Sequence, residues 1–198
     1  VIIDDIYISN IAHNGIQIES QEFSGNPGST VSLNDVYVNY CQTGVNIPQG
    51  NYPALTWGGI TIHHSSSYPL YANIFNYAAL GSFSSSWEGI EMLAMWESYL
   101  YGSITLPYRS LPYYLLTNLN LNNGAALTLE PGVGLRFQQH GRLQLYNGSS
   151  LNADGTELLP ISFRAGGDYT WGGIGLDSNC SALLDHCQFS SCGYPQYG

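Results

Sequence analysis

The chain has no lysine. Its four cations are Arg109, Arg136, Arg142 and Arg164, set against 14 Asp and Glu, and only 9% of its 198 residues are charged, for a formal net charge of −10. A surface so poor in cations has no basic stripe to displace counterions from a phosphate backbone, which excludes nucleic acid as a partner. Electrostatic docking on anionic lipid fails for the same reason. No apolar run approaches the roughly 18 residues of a membrane-spanning helix, so membrane insertion is not expected. The sequence also lacks a Gly-x-Ser-x-Gly elbow, a Gly-Lys phosphate loop and a His-Glu-x-x-His zinc pattern, the usual local signatures of nucleophilic, nucleotide and metalloprotease chemistry. Solubility rests instead on Ser, Asn, Thr, Gln, Gly and the hydroxyls of 16 tyrosines. With 44% hydrophobic and 13% aromatic residues, the chain is nevertheless too apolar to be disordered.

What is present is repetition. Trp57-Gly-Gly-Ile60, Trp87-Glu-Gly-Ile90 and Trp171-Gly-Gly-Ile174 are one tetrapeptide pattern used three times. A shift of 114 lays Trp57 on Trp171, Ile60 on Ile174, Leu70 on Leu184 and Phe75 on Phe189. A shift of 30 lays Trp57 on Trp87 and Ile60 on Ile90, and independently lays Ile3, Ile6, Ile8 and Ile11 on Leu33, Val36, Val38 and Cys41. A period of a few tens of residues signals a solenoid, in which each turn of chain buries its apolar face against its neighbours. Within the repeats, apolar residues alternate in short bursts such as Ile6-Tyr-Ile8, Val36-Tyr-Val38, Leu127-Thr-Leu129 and Leu143-Gln-Leu145, the period of a strand with one buried face. No segment sustains a 3.6-residue period, and residues 91–101 read as strand and turn. About three short strands per repeat of some 30 residues suits one rung of a parallel β-helix better than a propeller blade of roughly 40–50 residues. The fold expected is therefore all-β, a parallel β-helix of about seven or eight rungs spanning residues 1–198 as a single domain, with looser rungs over 1–114 and a second block over 115–198. Each Gly-Ile or Gly-Val pair (Gly15-Ile16, Gly44-Val45, Gly59-Ile60, Gly89-Ile90, Gly173-Ile174) marks a corner where glycine supplies backbone freedom. The tryptophan before it covers a rung edge or, as the sharper alternative, forms a carbohydrate platform.

The second block carries a resemblance. Leu127-Thr-Leu129-Glu-Pro131-Gly132, Ala153-Asp-Gly155-Thr156, Pro160-Ile-Ser-Phe163 and Trp171-Gly-Gly-Ile174 resemble the right-handed parallel β-helix repeats of large bacterial secreted and cell-surface proteins. The match is good over residues 115–193 and looser elsewhere. It implies a right-handed solenoid in an extracellular or cell-surface setting, and it brings no catalytic residues with it. The chain begins at Val1 and ends at Gly198 within repetitive sequence and reads as a processed protein or a piece of a longer one.

Chemistry is harder to find. Polysaccharide lyases of β-helix form use an Arg or Lys base beside a carboxylate cluster that holds calcium, and none of the four arginines has a dense Asp cluster near it in sequence. Glycoside hydrolysis asks for two carboxylates about 5–10 Å apart. Asp5 and Asp35 sit at the 30-residue period, Glu88 and Glu91 flank Gly89-Ile90, and Asp185-His186 lies on an equivalent strand. Asp5 and Asp35 read better as corner residues capping backbone amides, and Asp185-His186 as a solvated edge. His63 and His64 are strand neighbours on opposite faces and do not share a metal. Cys41, Cys187 and Cys192 fall where Ile and Val stand in matching repeats and read as small core residues; a disulfide from Cys180 is compatible with secretion. No catalytic, cofactor or metal residues are assigned.

The over-used residue is tyrosine. Tyr68, Tyr71, Tyr99, Tyr101, Tyr108, Tyr113, Tyr114, Tyr194 and Tyr197 fall in loop-like, Pro-rich stretches and are the candidate contact residues, since exposed tyrosine brings contact area at low entropic cost. The expected function is that of an extracellular structural or adhesive rod, not an enzyme, with self-association or other surface proteins as partners and assembly into a filament or layer. The alternative is a polysaccharide-binding or polysaccharide-cleaving β-helix, which requires a line of exposed aromatics beside at least two carboxylates on one ladder.

Overall fold

Alternation sends every second side chain to one side of a strand, so short alternating segments must find partners that match them inward on inward. In the computed structural model they do so in parallel. The structure describes residues 2–18, 30–47, 54–74, 77, 80–81, 83–86, 92–96 and 98–193, and the chain divides into two compact units, Val1–Ala94 and Met95–Gly198.

In the first unit, β1 (Ile2–Ser9), β3 (Thr30–Cys41), β6 (Ile60–Ser65) and β8 (Phe83–Ser86) lie side by side in that order, with β5 (Ala54–Trp57) also on β3. A second sheet runs β2 (Asn14–Gln17), β4 (Thr43–Asn46), β7 (Leu70–Ala72). Following β9 (Leu93–Met95), the second unit repeats the plan. There β17 (Ile174–Leu176), β14 (Leu143–Leu145), β12 (Leu119–Leu129), β15 (Ser150–Asp154) and β18 (Ser181–Asp185) form one sheet, with β10 (Tyr99–Leu106) on β12. Its other sheet runs β11 (Tyr113–Leu115), β13 (Gly134–Phe137), β16 (Ile161–Ala165), β19 (Cys187–Phe189). The described ladders within both units are parallel. The chain is thus all-β with long parallel sheets.

The register confirms one repeat and corrects another. Ile3 pairs with Leu33, Ile6 with Val36 and Ile8 with Val38, the 30-residue shift read from the sequence. Ile60, however, lies between Val36 and Phe83, neighbours 24 and 23 positions away, and not at a 30-residue step toward Ile90. Trp87 and Ile90 lie outside the described residues. In the second unit Leu119 pairs with Leu143, 24 residues on, and Leu143 with Ile174, 31 residues on. The ladder demands only that inward residues meet inward residues; the loops between strands absorb the difference in length.

The core follows the ladders. Leu119, Leu121, Leu127, Leu135, Leu143 and Leu145 are fully buried, each stacked on an apolar equivalent in the adjacent strand. Trp171 is fully buried as well, its ring 4.3 Å from that of Phe137 at 10°, and Phe163 and Phe189 continue the stack at 4.9 Å. Trp57 is also buried. Neither tryptophan covers an exposed edge or offers a platform: the Trp-Gly-Gly step turns the indole inward, where its large apolar area is worth most.

The corners, too, differ from expectation. Gly173 has a positive φ of 87°, but Gly15, Gly44 and Gly59 do not. At Gly44 the constraint is space, because an added Cβ would meet Ile62 Cγ2 and the Pro69 carbonyl oxygen at 2.5 Å. The left-handed corners are mostly built from other residues, among them Asp5 (51°) and Asp35 (48°), Tyr40 and His64 (both 50°), and Asn123 (55°), Asn147 (51°) and Asn179 (63°). Asn and Asp tolerate this region best among non-glycine residues, and the three asparagines occupy equivalent corners of adjacent strands.

Candidate functional site

The outward face of the β1–β3–β6 sheet carries aromatic rings in register. Val36 and Val38 point inward and are buried, so Tyr37 between them points out. Because the ladder sets Tyr7 directly against Tyr37 and neighbouring strands lie about 4.8 Å apart, the two rings stack, with centroids 4.8 Å apart and planes 10° from parallel. His63 extends the row, its ring 5.1 Å from Tyr37 at 41°. At the adjoining corner Tyr40 and His64 stack at 4.4 Å and 7°, and His64 Nδ1 lies 2.9 Å from Asn39 Oδ1. Tyr7 is 66% exposed and Tyr40 51%.

Polar groups frame the rings. Asp5 and Asp35, both exposed, stand at the corner two residues before Tyr7 and Tyr37. On the other margin Asn10 Nδ2 donates to Ser9 Oγ at 3.1 Å, and farther along the sheet the hydroxyls of Thr61 and Ser84 are 3.0 Å apart. A shallow depression lined by Gly59, Ile60, Thr61, Phe83 and Ser84 adjoins them. The result is a strip of five flat, polar-tipped rings, with two exposed carboxylates at the preceding corner of the same strands and hydroxyl and amide groups near by. Because the rings stack on one another, the surface offers their edges and polar tips to a ligand rather than a row of free faces.

Of the tyrosines singled out in the sequence, Tyr99, Tyr101 and Tyr108 are exposed, and the rings of Tyr99 and Tyr101 lie 6.3 Å apart at 14°. Tyr68, Tyr71 and Tyr114 are half-buried; Tyr114 Oη lies 3.0 Å from Tyr169 Oη. Tyr113 is a correction. It is fully buried, its hydroxyl donates to the Pro107 carbonyl at 2.7 Å, and burial pushes its ionisation well above the ordinary tyrosine range. It is core because the Pro-rich stretch around it contains strand β11, whose alternation turns Tyr113 in and Tyr114 out. Tyr194 and Tyr197 lie outside the described residues.

Tyr7, Tyr37 and Tyr40 were missed. The signal was available, since the shift that lays Ile6 and Ile8 on Val36 and Val38 also lays Tyr7 on Tyr37. His63 and His64 were expected on opposite faces; the left-handed backbone at His64 breaks the alternation, and the two rings lie 6.3 Å apart.

The remaining candidates are dispersed. Asp185 and His186 form an exposed pair, Oδ1 to Nδ1 3.1 Å, at a left-handed corner. Glu88 and Glu91 lie outside the described residues. All four cysteines are free thiols. Cys41 is buried, and that burial raises its pKa; Cys187 is half-buried with its Sγ 3.3 Å from the Ala153 carbonyl oxygen. Cys192 is exposed, which corrects its expected place in the core. Among the described residues no three His, Cys, Asp or Glu side chains are grouped to hold a metal ion, and no helix is long and apolar enough to cross a membrane. No family model, curated protein or solved structure matches the chain.

Proposed function

We propose that the chain is an extracellular adhesive β-solenoid that binds polysaccharide on the outward face of the β1–β3–β6 sheet. In this reading the parallel sheets are walls of a right-handed parallel β-helix of about seven or eight rungs, and its stiffness holds the binding face flat. The observation that carries the reading is the Tyr7–Tyr37 stack continued by His63, with Asp5 and Asp35 exposed two residues earlier on the same two strands. A continuous outward row of aromatics, Tyr7 exposed and Tyr37 and His63 half-buried, on strands that also carry two exposed carboxylates favours glycan binding over a purely structural role. Binding is favoured over cleavage because acid catalysis asks for a carboxyl in an apolar pocket, whereas Asp5 and Asp35 are both exposed.

The test is retention on insoluble polysaccharides (cellulose, chitin, peptidoglycan and xylan) by the wild type and by Tyr37→Ala. Wild-type retention on at least one, reduced at least tenfold in the variant with an unchanged circular dichroism spectrum, supports the reading; equal retention by both, or none by either, refutes it. The second reading, assembly into a filament or layer, is favoured by the exposed Tyr99–Tyr101 pair. Electron microscopy with light scattering decides it: ordered assemblies that Tyr99→Ser/Tyr101→Ser abolishes support it, and a concentration-independent monomer rejects it.

A further inference from the structure

Two of the four cations in this acidic chain stand next to each other. Arg136 on β13 pairs in register with Arg164 on β16. Leu135, Phe137 and Phe163 around them point inward and are fully buried, so both guanidinium groups leave the outward face of the same sheet, on strands about 4.8 Å apart. Like charges placed directly opposite on a sheet repel, and a chain with 14 acidic residues had many ways to neutralise them. It does not: neither arginine forms an ion pair with a carboxylate among the described residues. Arg136 Nη1 donates only to the Leu135 carbonyl at 3.2 Å and to Ser162 Oγ at 3.1 Å. Burial, and then the charge of Arg164, pull the Arg136 pKa down to about 10, the mark of a cation held without a counter-charge.

Beside Arg164 opens a cleft of about 270 Å³, lined by Arg164, Gly166, Gly167, Asp168, Ser190 and Ser191. That is the volume of about nine waters, room for one sugar residue. Its chemistry is mixed in a particular way. The two arginines outweigh the single carboxylate of Asp168, so the site favours an anion. An ionised Asp168 accepts hydrogen bonds and cannot donate them, so it disfavours a compact multiply charged oxyanion and favours a ligand that also brings hydroxyl donors. Ser190 and Ser191 add groups that both donate and accept.

We propose that this cleft is a subsite for the carboxylate of an acidic sugar, a uronic acid residue of a polysaccharide, with Arg164 taking the carboxylate, Arg136 reinforcing the field, and Asp168 and the two serines taking the ring hydroxyls. The proposal extends the polysaccharide reading to a ligand class but rests on different residues in the other unit, so the two fail separately.

The experiment is a protein-observed NMR titration, following the amide shifts of the isotopically labelled chain, with D-glucuronate, D-glucose and inorganic sulfate as separate probes, in low and moderate salt. Glucuronate is expected to bind with a millimolar dissociation constant that weakens with salt, glucose and sulfate to bind at least tenfold more weakly. Arg164→Gln is expected to abolish glucuronate binding, and Asp168→Asn to weaken it several-fold while improving sulfate binding. Arg164 is exposed, so the fold tolerates its substitution, and an unchanged melting temperature verifies this. No glucuronate signal, an equal signal in Arg164→Gln, or sulfate binding as tight as glucuronate in the wild type would each overturn the assignment. Polysaccharide retention that disappears in Tyr37→Ala but persists in Arg164→Gln, with no glucuronate signal, would leave the aromatic face standing and remove this subsite alone.

Discussion

Trp57 and Trp171 open the same tetrapeptide and are both buried, yet they differ by one hydrogen bond, and that difference should be measurable. The Trp171 indole N–H donates to the Ser190 carbonyl at 2.9 Å, while Trp57 Nε1 is buried with no partner among the described residues. Replacing either ring with phenylalanine removes the N–H and leaves a void of roughly 40 Å³, a cavity cost of about 1 kcal/mol. At position 171 the lost bond adds about 1 kcal/mol, for a total near 2 kcal/mol. At position 57 the same change also removes an unsatisfied buried donor, whose burial costs about 1–3 kcal/mol. That gain offsets the cavity, so Trp57→Phe should lie between neutral and about 2 kcal/mol stabilising. The two substitutions should therefore differ by about 2–4 kcal/mol, a factor of roughly 30 or more in the unfolding constant. Urea denaturation followed by far-UV circular dichroism provides the assay, each variant being read on the transition of its own unit, since stacked-repeat proteins need not unfold as one. A Trp57→Phe substitution as costly as Trp171→Phe would refute the reasoning.

Two further outcomes follow from the core and the corners. Tyr113→Phe should cost about 1 kcal/mol at neutral pH through the lost Pro107 bond. Because burial raises the folded-state pKa of Tyr113 above the ordinary 10.0, its contribution is fully present below pH 10 and declines as pH rises past it; the variant should show a shallower alkaline fall in urea midpoint, and an unchanged alkaline limb would contradict this. Asn147 has a φ of 51°, so Asn147→Ala should cost about 1–2 kcal/mol and Asn147→Gly close to nothing; thermal melts that rank alanine above glycine would reject the left-handed corner.

Strand positions were legible because alternation is a local property: Val36-Tyr-Val38 and Leu143-Gln-Leu145 announce their inward faces without any knowledge of their partners. The register of β1 on β3 was legible too, since four apolar positions agreed on one shift. Elsewhere partners are set by loops of unequal length, and a tetrapeptide match such as Trp57 with Trp87 does not identify the neighbour of Ile60, which is Phe83. The candidate site suffered from the same gap. Tyrosines that cluster along the chain stand out in the sequence, but a parallel ladder gathers residues a full turn apart, so Tyr7 and Tyr37 meet while Tyr113 and Tyr114 diverge. Arg136 and Arg164 were equally out of reach, because no repeated motif marks the 28-residue step that joins them.

The most direct test of the account is a structure of the protein with an oligosaccharide cut from whichever polysaccharide retains it. The account predicts sugar rings packed across the outward edges of Tyr7, Tyr37 and His63, with hydroxyls bonded to the tyrosine hydroxyls and the imidazole. A bound oligosaccharide that leaves this strip bare, or no bound oligosaccharide at saturating concentration, would contradict it.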